Sequence, residues 1–289
     1  MRNLTPKTYE EIRFDKYIYY ADTSQPSRKN GREVIHQNII KIKSRFLDYQ
    51  NNKHRLENIG NSPIAKNDDV NSLYQKMYNL YGNINLKKSI REISGMKCPY
   101  CGIQGLPPNN IDHFIPRGDY PEFSVHPENL IAVCNICNVT YKKEIFLISG
   151  VRQFMNPYFD QFISLNFLLC NIRVVGVYPE INFSIDPELQ STHQYEYQII
   201  SNHFQNLNLY DRFKDNVMDI FIKFKRQYFE NKQPMTVSKI ELINDIEKRI
   251  RGLDEEEINN NNHEKKFWES LKQCNALLNL IVDQQLPFN

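Results

Sequence analysis

Residues 98–143 read CPYCGIQGLPPNNIDHFIPRGDYPEFSVHPENLIAVCNICNVTYKK. Four cysteines of this stretch form two Cys-x-x-Cys pairs separated by 32 residues, namely Cys98 with Cys101 and Cys134 with Cys137. Asp112 and His113 lie between the two pairs. Thiolates at this spacing suit a closed tetrahedral zinc site, whereas carboxylate, imidazole and amide oxygen suit Mg²⁺ or a similar hard ion. The stretch therefore predicts two metal sites of different chemistry in one short segment.

The use of cysteine favours metal over disulfides. Six cysteines could form three disulfides in a secreted protein, but the first residues of the chain contain no apolar leader segment. We therefore expect a cytoplasmic protein whose paired cysteines bind zinc. Redox chemistry at Cys98 and Cys101 is the alternative, although the second pair would then have no role. Cys170 and Cys274 lie in apolar patterns and are predicted to be buried core thiols.

The residues between the cysteine pairs resemble the HNH endonucleases, whose catalytic unit is a ββα fold around one divalent metal. In that family an acidic residue followed by histidine lies on the first strand, which Asp112 and His113 match, and Pro116 matches the downstream proline. Asn129 matches the asparagine of an Asn-Leu step before the second cysteine pair. The residue after the last cysteine is Asn138, where other members have histidine. The chain therefore resembles an H-N-N variant of this family.

The resemblance implies a role for each of these residues. His113 would be the general base, because imidazole titrates near neutral pH and can take a proton from water. Asp112 and Asn138 would bind Mg²⁺ or Mn²⁺ at the scissile phosphate. Asn129 would hydrogen-bond the ring of His113 and fix its tautomer, with a plain turn residue as the alternative. Three basic residues are expected to contact phosphates: Arg117, Lys142 and Lys143.

The alternation of side chains from Ile111 to Ile115 predicts a β-strand. Adjacent residues of a strand point to opposite faces, so a regular strand cannot direct both Asp112 and His113 at one ion. We expect either a bend or bulge at this step, or His113 acting on substrate while Asp112 alone contacts metal. Residues 117–128 are predicted to form the loop to a second strand, and residues 135–146 a helix.

The composition indicates a folded globular protein. The chain has 289 residues, of which 40% are hydrophobic, enough for a sizeable buried core. Its formal net charge is only +2, so any surface that attracts nucleic acid must be local. The most apolar stretch, residues 162–178, is interrupted by Asn166, Asn171 and Arg173, and no membrane association is expected.

Three regions are predicted along the chain. Residues 1–90 are expected to be helical, residues 91–150 to hold the ββα module, and residues 151–289 to be α-rich with a short β-hairpin. The predicted class is therefore α+β and mostly α-helical.

In the first region the apolar residues recur at helical spacing. They predict a helix in residues 31–58, whose apolar face carries Ile35, Ile39, Ile42, Phe46 and Tyr49. A second helix is predicted near residues 70–80 and a third at residues 86–93.

In the last region two strands are predicted at residues 172–177 and 181–185, joined by a turn at residues 178–180. Helices are predicted at residues 189–204, 215–228, 238–252 and 267–278. Ser238 and Glu241 match a capping box, and Gly252 is the predicted end of that helix. Residues 254–262, which are acidic and asparagine-rich, are predicted to be a solvated linker.

The resemblance implies hydrolysis of phosphodiester bonds, with DNA as the favoured polymer. The chain looks like the small HNH effectors of bacterial anti-phage systems, such as the Septu-like ones, which act with an ATPase encoded nearby. Two alternatives stay open: an HNH effector that cuts RNA such as tRNA, and a zinc-dependent nucleic-acid-binding or adaptor protein without catalysis. The first would cut RNA and spare DNA, whereas the second would show no metal-dependent cleavage.

Overall fold

The computed structural model describes residues 1, 3–5, 29–64, 86–124, 126–230, 238–256, 260–283 and 286. The described secondary structure is mostly helical with two-stranded antiparallel sheets, which confirms the predicted α+β class. The chain forms two compact units, Asn3–Asp160 and Gln161–Asn289. This division differs from the predicted regions, because the N-terminal helix shares a unit with the cysteine-rich segment and the boundary falls after Asp160.

Helix α1, Lys29–Asn52, belongs to the first unit. Its residues Ile42, Phe46 and Tyr49 are buried, as the helical spacing predicted. The side chain of Ile35 and the second predicted helix, near residues 70–80, lie outside the described residues.

Helix α1 is attached to the loop that follows the first strand of the cysteine-rich segment. The buried guanidinium of Arg45 donates through Nε to Glu122 Oε1 at 2.9 Å, and Tyr49 Oη donates to the carbonyl of Glu128 at 3.0 Å. The ring of Tyr49 also stacks on His126, with 4.1 Å between centroids, and His126 packs edge-on against Phe46. An aromatic cluster and a buried ion pair therefore hold the loop from its outer side.

Helix α2, Leu86–Ser94, confirms the third predicted helix. It ends at Gly95, whose φ of 57° is a left-handed conformation that glycine adopts without steric cost. Ser94 Oγ donates to the carbonyl of Ala132 at 2.9 Å, which fixes the end of α2 to the second strand.

Strands β1, Asn110–His113, and β2, Leu130–Val133, pair antiparallel. Asp112 lies opposite Ile131 and His113 opposite Leu130. Because the register is uninterrupted, the predicted bend or bulge at the Asp-His step is wrong.

The chain between β1 and β2 and after β2 is shaped by short helical turns. Two 3₁₀ turns, Pro121–Phe123 and Pro127–Asn129, interrupt the connecting loop. The helix predicted after β2 is a π-helix, Ile136–Lys142, in which Lys143 N donates to the carbonyl of Asn138 at 2.8 Å. A further hairpin follows it, formed by β3, Leu147–Ile148, and β4, Val151–Arg152.

The second unit contains the predicted hairpin, formed by β5, Leu168–Val175, and β6, Tyr178–Ile185. Its turn lies at residues 176–177, before the predicted position, since Gly176 takes a left-handed φ of 65°. Helices follow in the order α3, Glu188–Thr192; α4, Gln194–Asn206; α5, Leu209–Glu230; α6, Lys239–Glu256; α7, His263–Gln273; and α8, Asn275–Val282. Their core includes Phe204, Phe213, Phe221, Phe267 and Trp268.

The capping box at the start of α6 is confirmed, because Glu241 N donates to Ser238 Oγ at 3.2 Å and Ser238 N to Glu241 Oε2 at 3.4 Å. Gly252 does not end this helix, which continues to Glu256. Cys170 and Cys274 are only half-buried, in contrast to the predicted core thiols.

The predicted solvated linker contains a buried polar residue. Asn261 is 1% exposed, and its Oδ1 accepts from the backbone N–H groups of Phe167 and Leu168 at 2.9 Å each. Its amide nitrogen donates to the carbonyls of Ile163 and Leu165. Asn262 then caps α7. The prediction of a solvated linker is wrong for these two residues, because both are buried.

Candidate active site

The four paired cysteines converge on one point. The Sγ atoms of Cys98, Cys101, Cys134 and Cys137 all lie within 4.8 Å of one another, and all four side chains are buried. Four zinc-bound thiolates with bonds of about 2.3 Å are separated by about 3.8 Å, so the cluster is the right size for a metal such as zinc. Backbone N–H groups of Cys134 and Cys137 donate to Sγ atoms of the cluster at 3.3 and 3.4 Å, which would stabilise thiolates.

His113 lies at the end of β1, where its Nε2 is 3.0 Å from the carbonyl oxygen of Ser124. A carbonyl only accepts, so Nε2 carries the proton and Nδ1 is the acceptor nitrogen. Burial lowers the pKa of His113 to about 4, despite the opposing effect of the Asp112 carboxylate. The imidazole is therefore neutral at pH 7, the state that a general base requires, although its pKa lies below the near-neutral value expected from the sequence.

Asn129 does not contact the ring of His113, so the predicted hydrogen bond between them is wrong. It is fully buried, and its Oδ1 accepts from Ile115 N at 2.8 Å while its Nδ2 donates to the carbonyls of Ile115 and Phe123. These bonds clamp the two ends of the loop that carries Ser124. Asn129 can therefore affect the tautomer of His113 only indirectly. It fixes the loop whose Ser124 carbonyl accepts the hydrogen bond from the ring.

Asp112, the residue before His113 on β1, is only 2% exposed. Tyr100 Oη donates to its Oδ2 at 2.7 Å, and the ammonium of Lys142 lies 3.0 Å from its Oδ1. Tyr100 stands between the first two cysteines, so the zinc loop determines where its hydroxyl lies. Both oxygens of the carboxylate are therefore engaged by neighbouring side chains.

Lys142 is not a surface cation. Its side chain is 0% exposed, its Nζ donates to the carbonyl of His113 at 3.0 Å, and the rings of Phe114 and Phe154 lie about 6 Å from it. The prediction that Lys142 contacts phosphates is wrong, because the π-helix turns it inward to neutralise Asp112. Lys143, the next residue, is exposed.

Asp112 and Asn138, the residues predicted to hold Mg²⁺, do not fit that role in this arrangement of side chains. A divalent ion beside Asp112 would also face the ammonium of Lys142. Charges of +1 and +2 about 4 Å apart repel each other by about 8 kcal/mol at an effective dielectric constant of about 20. Asn138 is half-buried and accessible, but the carboxylate that would complete the site is already neutralised.

A cleft of about 360 Å³ opens beside His113. Among its lining residues are Arg117, Asn138, Lys143 and Glu144, so it brings together most of the predicted site residues. Glu144 lies close enough to Arg117 to act on its charge, and partial burial lowers the pKa of Arg117, which stays cationic at pH 7. The cleft can therefore present a neutral base and positive charge to an anionic substrate.

Sequence reasoning missed Tyr100, whereas it singled out Tyr158 as a residue that braces the site, with a helix-breaking turn at Pro157 as the alternative. Tyr158 Oη donates at 2.8 Å to the carbonyl of Leu130, the residue that pairs with His113 across the sheet. Burial raises the pKa of Tyr158, so the hydroxyl stays protonated as a donor. The position of Tyr100 inside the first Cys-x-x-Cys pair was the signal that could have revealed its contact with the site.

Residues 98–144 match the family model described as HNH endonuclease. The match places an HNH domain on the segment that holds β1, β2 and the π-helix. The chain is also similar to Protein ea31 of Escherichia phage lambda, with 36% identity over 123 residues, which are 42% of this chain and 40% of that protein. The match spans less than half the length of this relative. No solved structure matches the chain.

Within the described part of the chain, no helix combines the length and the apolar character needed to cross a bilayer.

Replacing Lys142 by methionine is expected to destabilise the first unit by about 3–5 kcal/mol, because the buried Asp112 carboxylate loses its cation while a side chain of similar length remains. Urea unfolding followed by circular dichroism measures the change. Lys143→Met is the matched control, since it removes the same charge from an exposed neighbour and should change the free energy of unfolding by less than about 0.5 kcal/mol. Equal effects of the two substitutions would contradict the internal ion pair.

Proposed function

We propose that this protein is an HNH endonuclease that hydrolyses phosphodiester bonds of DNA. The observation that carries the proposal is the neutral His113, whose protonated Nε2 is fixed by the Ser124 carbonyl at the edge of a basic cleft. The matched HNH domain supports the same reaction.

In the proposed reaction, His113 Nδ1 takes a proton from water as the water oxygen attacks phosphorus. The bond from phosphorus to the leaving sugar oxygen breaks, and that oxygen departs with the electron pair. Arg117 and Lys143 would face the negative charge that grows on the phosphate oxygens. Lys142 and Tyr100 act indirectly, because they hold Asp112 and the carbonyl of His113 and so fix the end of β1.

The proposal includes a divalent cation, Mg²⁺ or Mn²⁺, since HNH nucleases depend on such ions. The engaged carboxylate of Asp112 gives no support for it as a ligand, so none of the steps above is assigned to the ion. A structural zinc at the four cysteines has direct support from their convergence.

We further propose that the chain is the nuclease effector of a bacterial anti-phage system and acts in the cytoplasm with an ATPase encoded nearby. Its resemblance to such effectors supports this role, and the net charge of +2 supports a need for a partner, because affinity for DNA comes mainly from Lys and Arg at phosphates.

Cleavage assays with duplex DNA, single-stranded DNA and tRNA test the proposed substrate. The zinc-loaded chain should be assayed alone and after co-purification with the protein encoded beside it, with Mg²⁺ or Mn²⁺ and with EDTA. We expect cleavage of DNA that requires the added ion and increases with the partner. Cleavage of tRNA with DNA spared would favour the RNA-cutting alternative, and no cleavage under any condition would favour an adaptor protein.

A further inference from the structure

Arg91 lines the same cleft as His113, although it precedes the matched segment 98–144. It lies near the end of α2, and its Nη2 donates to the carbonyl oxygen of Asn109 at 2.7 Å. Asn109 immediately precedes β1, so the guanidinium stands at the far end of the strand that carries His113.

The guanidinium of Arg91 is held in place but keeps most of its donors. The bond to Asn109 uses one of about five N–H groups, and α2 is itself fixed by the buried Ile90 and by Ser94, which bonds to β2. An anchored guanidinium loses little further freedom when it binds an anion, and its planar donors match phosphate oxygens.

The charge of Arg91 is also less compensated than that of the other arginine in the cleft. Glu144 lies beside Arg117, whereas no carboxylate of the described residues lies within ion-pair distance of Arg91. On the same helix Lys88 approaches Glu92 at 4.0 Å and does not line the cleft. Of the basic residues described on α2, Arg91 is thus the one placed to meet an anion.

We propose that Arg91 binds a backbone phosphate of the nucleic acid, away from the phosphate that is cleaved at His113. This inference rests on the proposed function and extends its substrate site beyond the HNH segment. His113 lies four positions after Asn109, or roughly 13 Å along the strand at about 3.3 Å per residue. With about 3.4 Å of rise per nucleotide, the contact falls roughly four nucleotides from the scissile bond along an aligned strand.

The experiment measures binding without cleavage, in a chain that carries His113→Ala. Fluorescence anisotropy with a short labelled duplex DNA, repeated over a series of salt concentrations, gives the affinity and its salt slope. Adding Arg91→Ala should weaken binding and reduce the slope by about 0.9, the change for one lost phosphate contact. Arg91→Lys should keep the slope, since the charge remains. Lys88→Ala, an exposed cation of the same helix, should change neither quantity.

A methylphosphonate scan locates the contact, because it neutralises one phosphate at a time. One position several nucleotides from the cleaved bond should weaken binding to the parent chain and have no effect once Arg91 is alanine. A salt slope that Arg91→Ala leaves unchanged, or reduces no more than Lys88→Ala does, would overturn the inference while the proposed function stands. Failure of the parent chain to bind either DNA or an RNA duplex, both alone and with the protein encoded beside it, would instead overturn the proposed function.

Discussion

Replacing His113 by alanine is expected to slow phosphodiester cleavage by about 10²–10⁴-fold, the usual contribution of a positioned general base. The neutral ring, fixed by the Ser124 carbonyl, is the best-placed proton acceptor of the cleft. The substitution removes the ring donor from the buried carbonyl of Ser124, a cost of about 1–3 kcal/mol that the zinc-loaded unit is expected to tolerate. Single-turnover cleavage of a labelled duplex measures the rate.

Exposed His193, in the second unit, offers the matched control. His193→Ala should cleave at the parent rate, and both variants should retain the parent zinc content and circular dichroism spectrum. If His113→Ala cleaves as fast as His193→Ala, another group must accept the proton and the assignment of His113 is wrong.

Replacing Cys134 by serine is expected to release the bound zinc and unfold the first unit. Structural zinc in small domains contributes on the order of 10–16 kcal/mol of apparent binding free energy. This is as large as the whole free energy of unfolding of a typical domain. Cys134 directly follows β2 and leads into the π-helix that carries Lys142 and Asn138. Loss of the metal therefore releases both sides of the cleft at once.

Elemental analysis and limited proteolysis measure this effect in protein purified without added metal. The parent chain should carry about one zinc, the count for a single four-thiolate site. Cys274→Ser is the control, because this half-buried thiol lies outside the four-cysteine cluster, and it should retain the zinc. Full zinc retention by the Cys134→Ser chain would exclude the four-cysteine assignment.

Features that depend on local sequence were predictable. The spacing of the paired cysteines indicated a cluster that the structure brings together, and the capping box of Ser238 and Glu241 formed as predicted. Burial of Ile42, Phe46 and Tyr49 on one face of α1 was also predictable, because apolar residues that recur with the helical period of 3.6 residues share one face.

The misassigned residues depend on contacts that sequence spacing does not encode. Lys142 and Lys143 are adjacent and chemically identical, yet the π-helix buries one against Asp112 and exposes the other. Asn129 was matched correctly by its position, but its bonding partners follow from the path of a loop. Asn261 lies in a polar stretch of sequence. It is buried and hydrogen-bonded only because the backbone of residues 163–168 packs against it in the fold.

The hydrogen bonds between α1 and the loop after β1 determine how short a segment of this protein could be transferred to another scaffold. Arg45 and Tyr49 reach Glu122 and Glu128 across 77 and 79 positions of sequence. An excised segment covering only residues 98–144 would keep its cysteines but would expose His126 and the buried carboxylate of Glu122. Transfer of the HNH segment to another protein, by recombination or by engineering, therefore has to carry α1 along with residues 98–144.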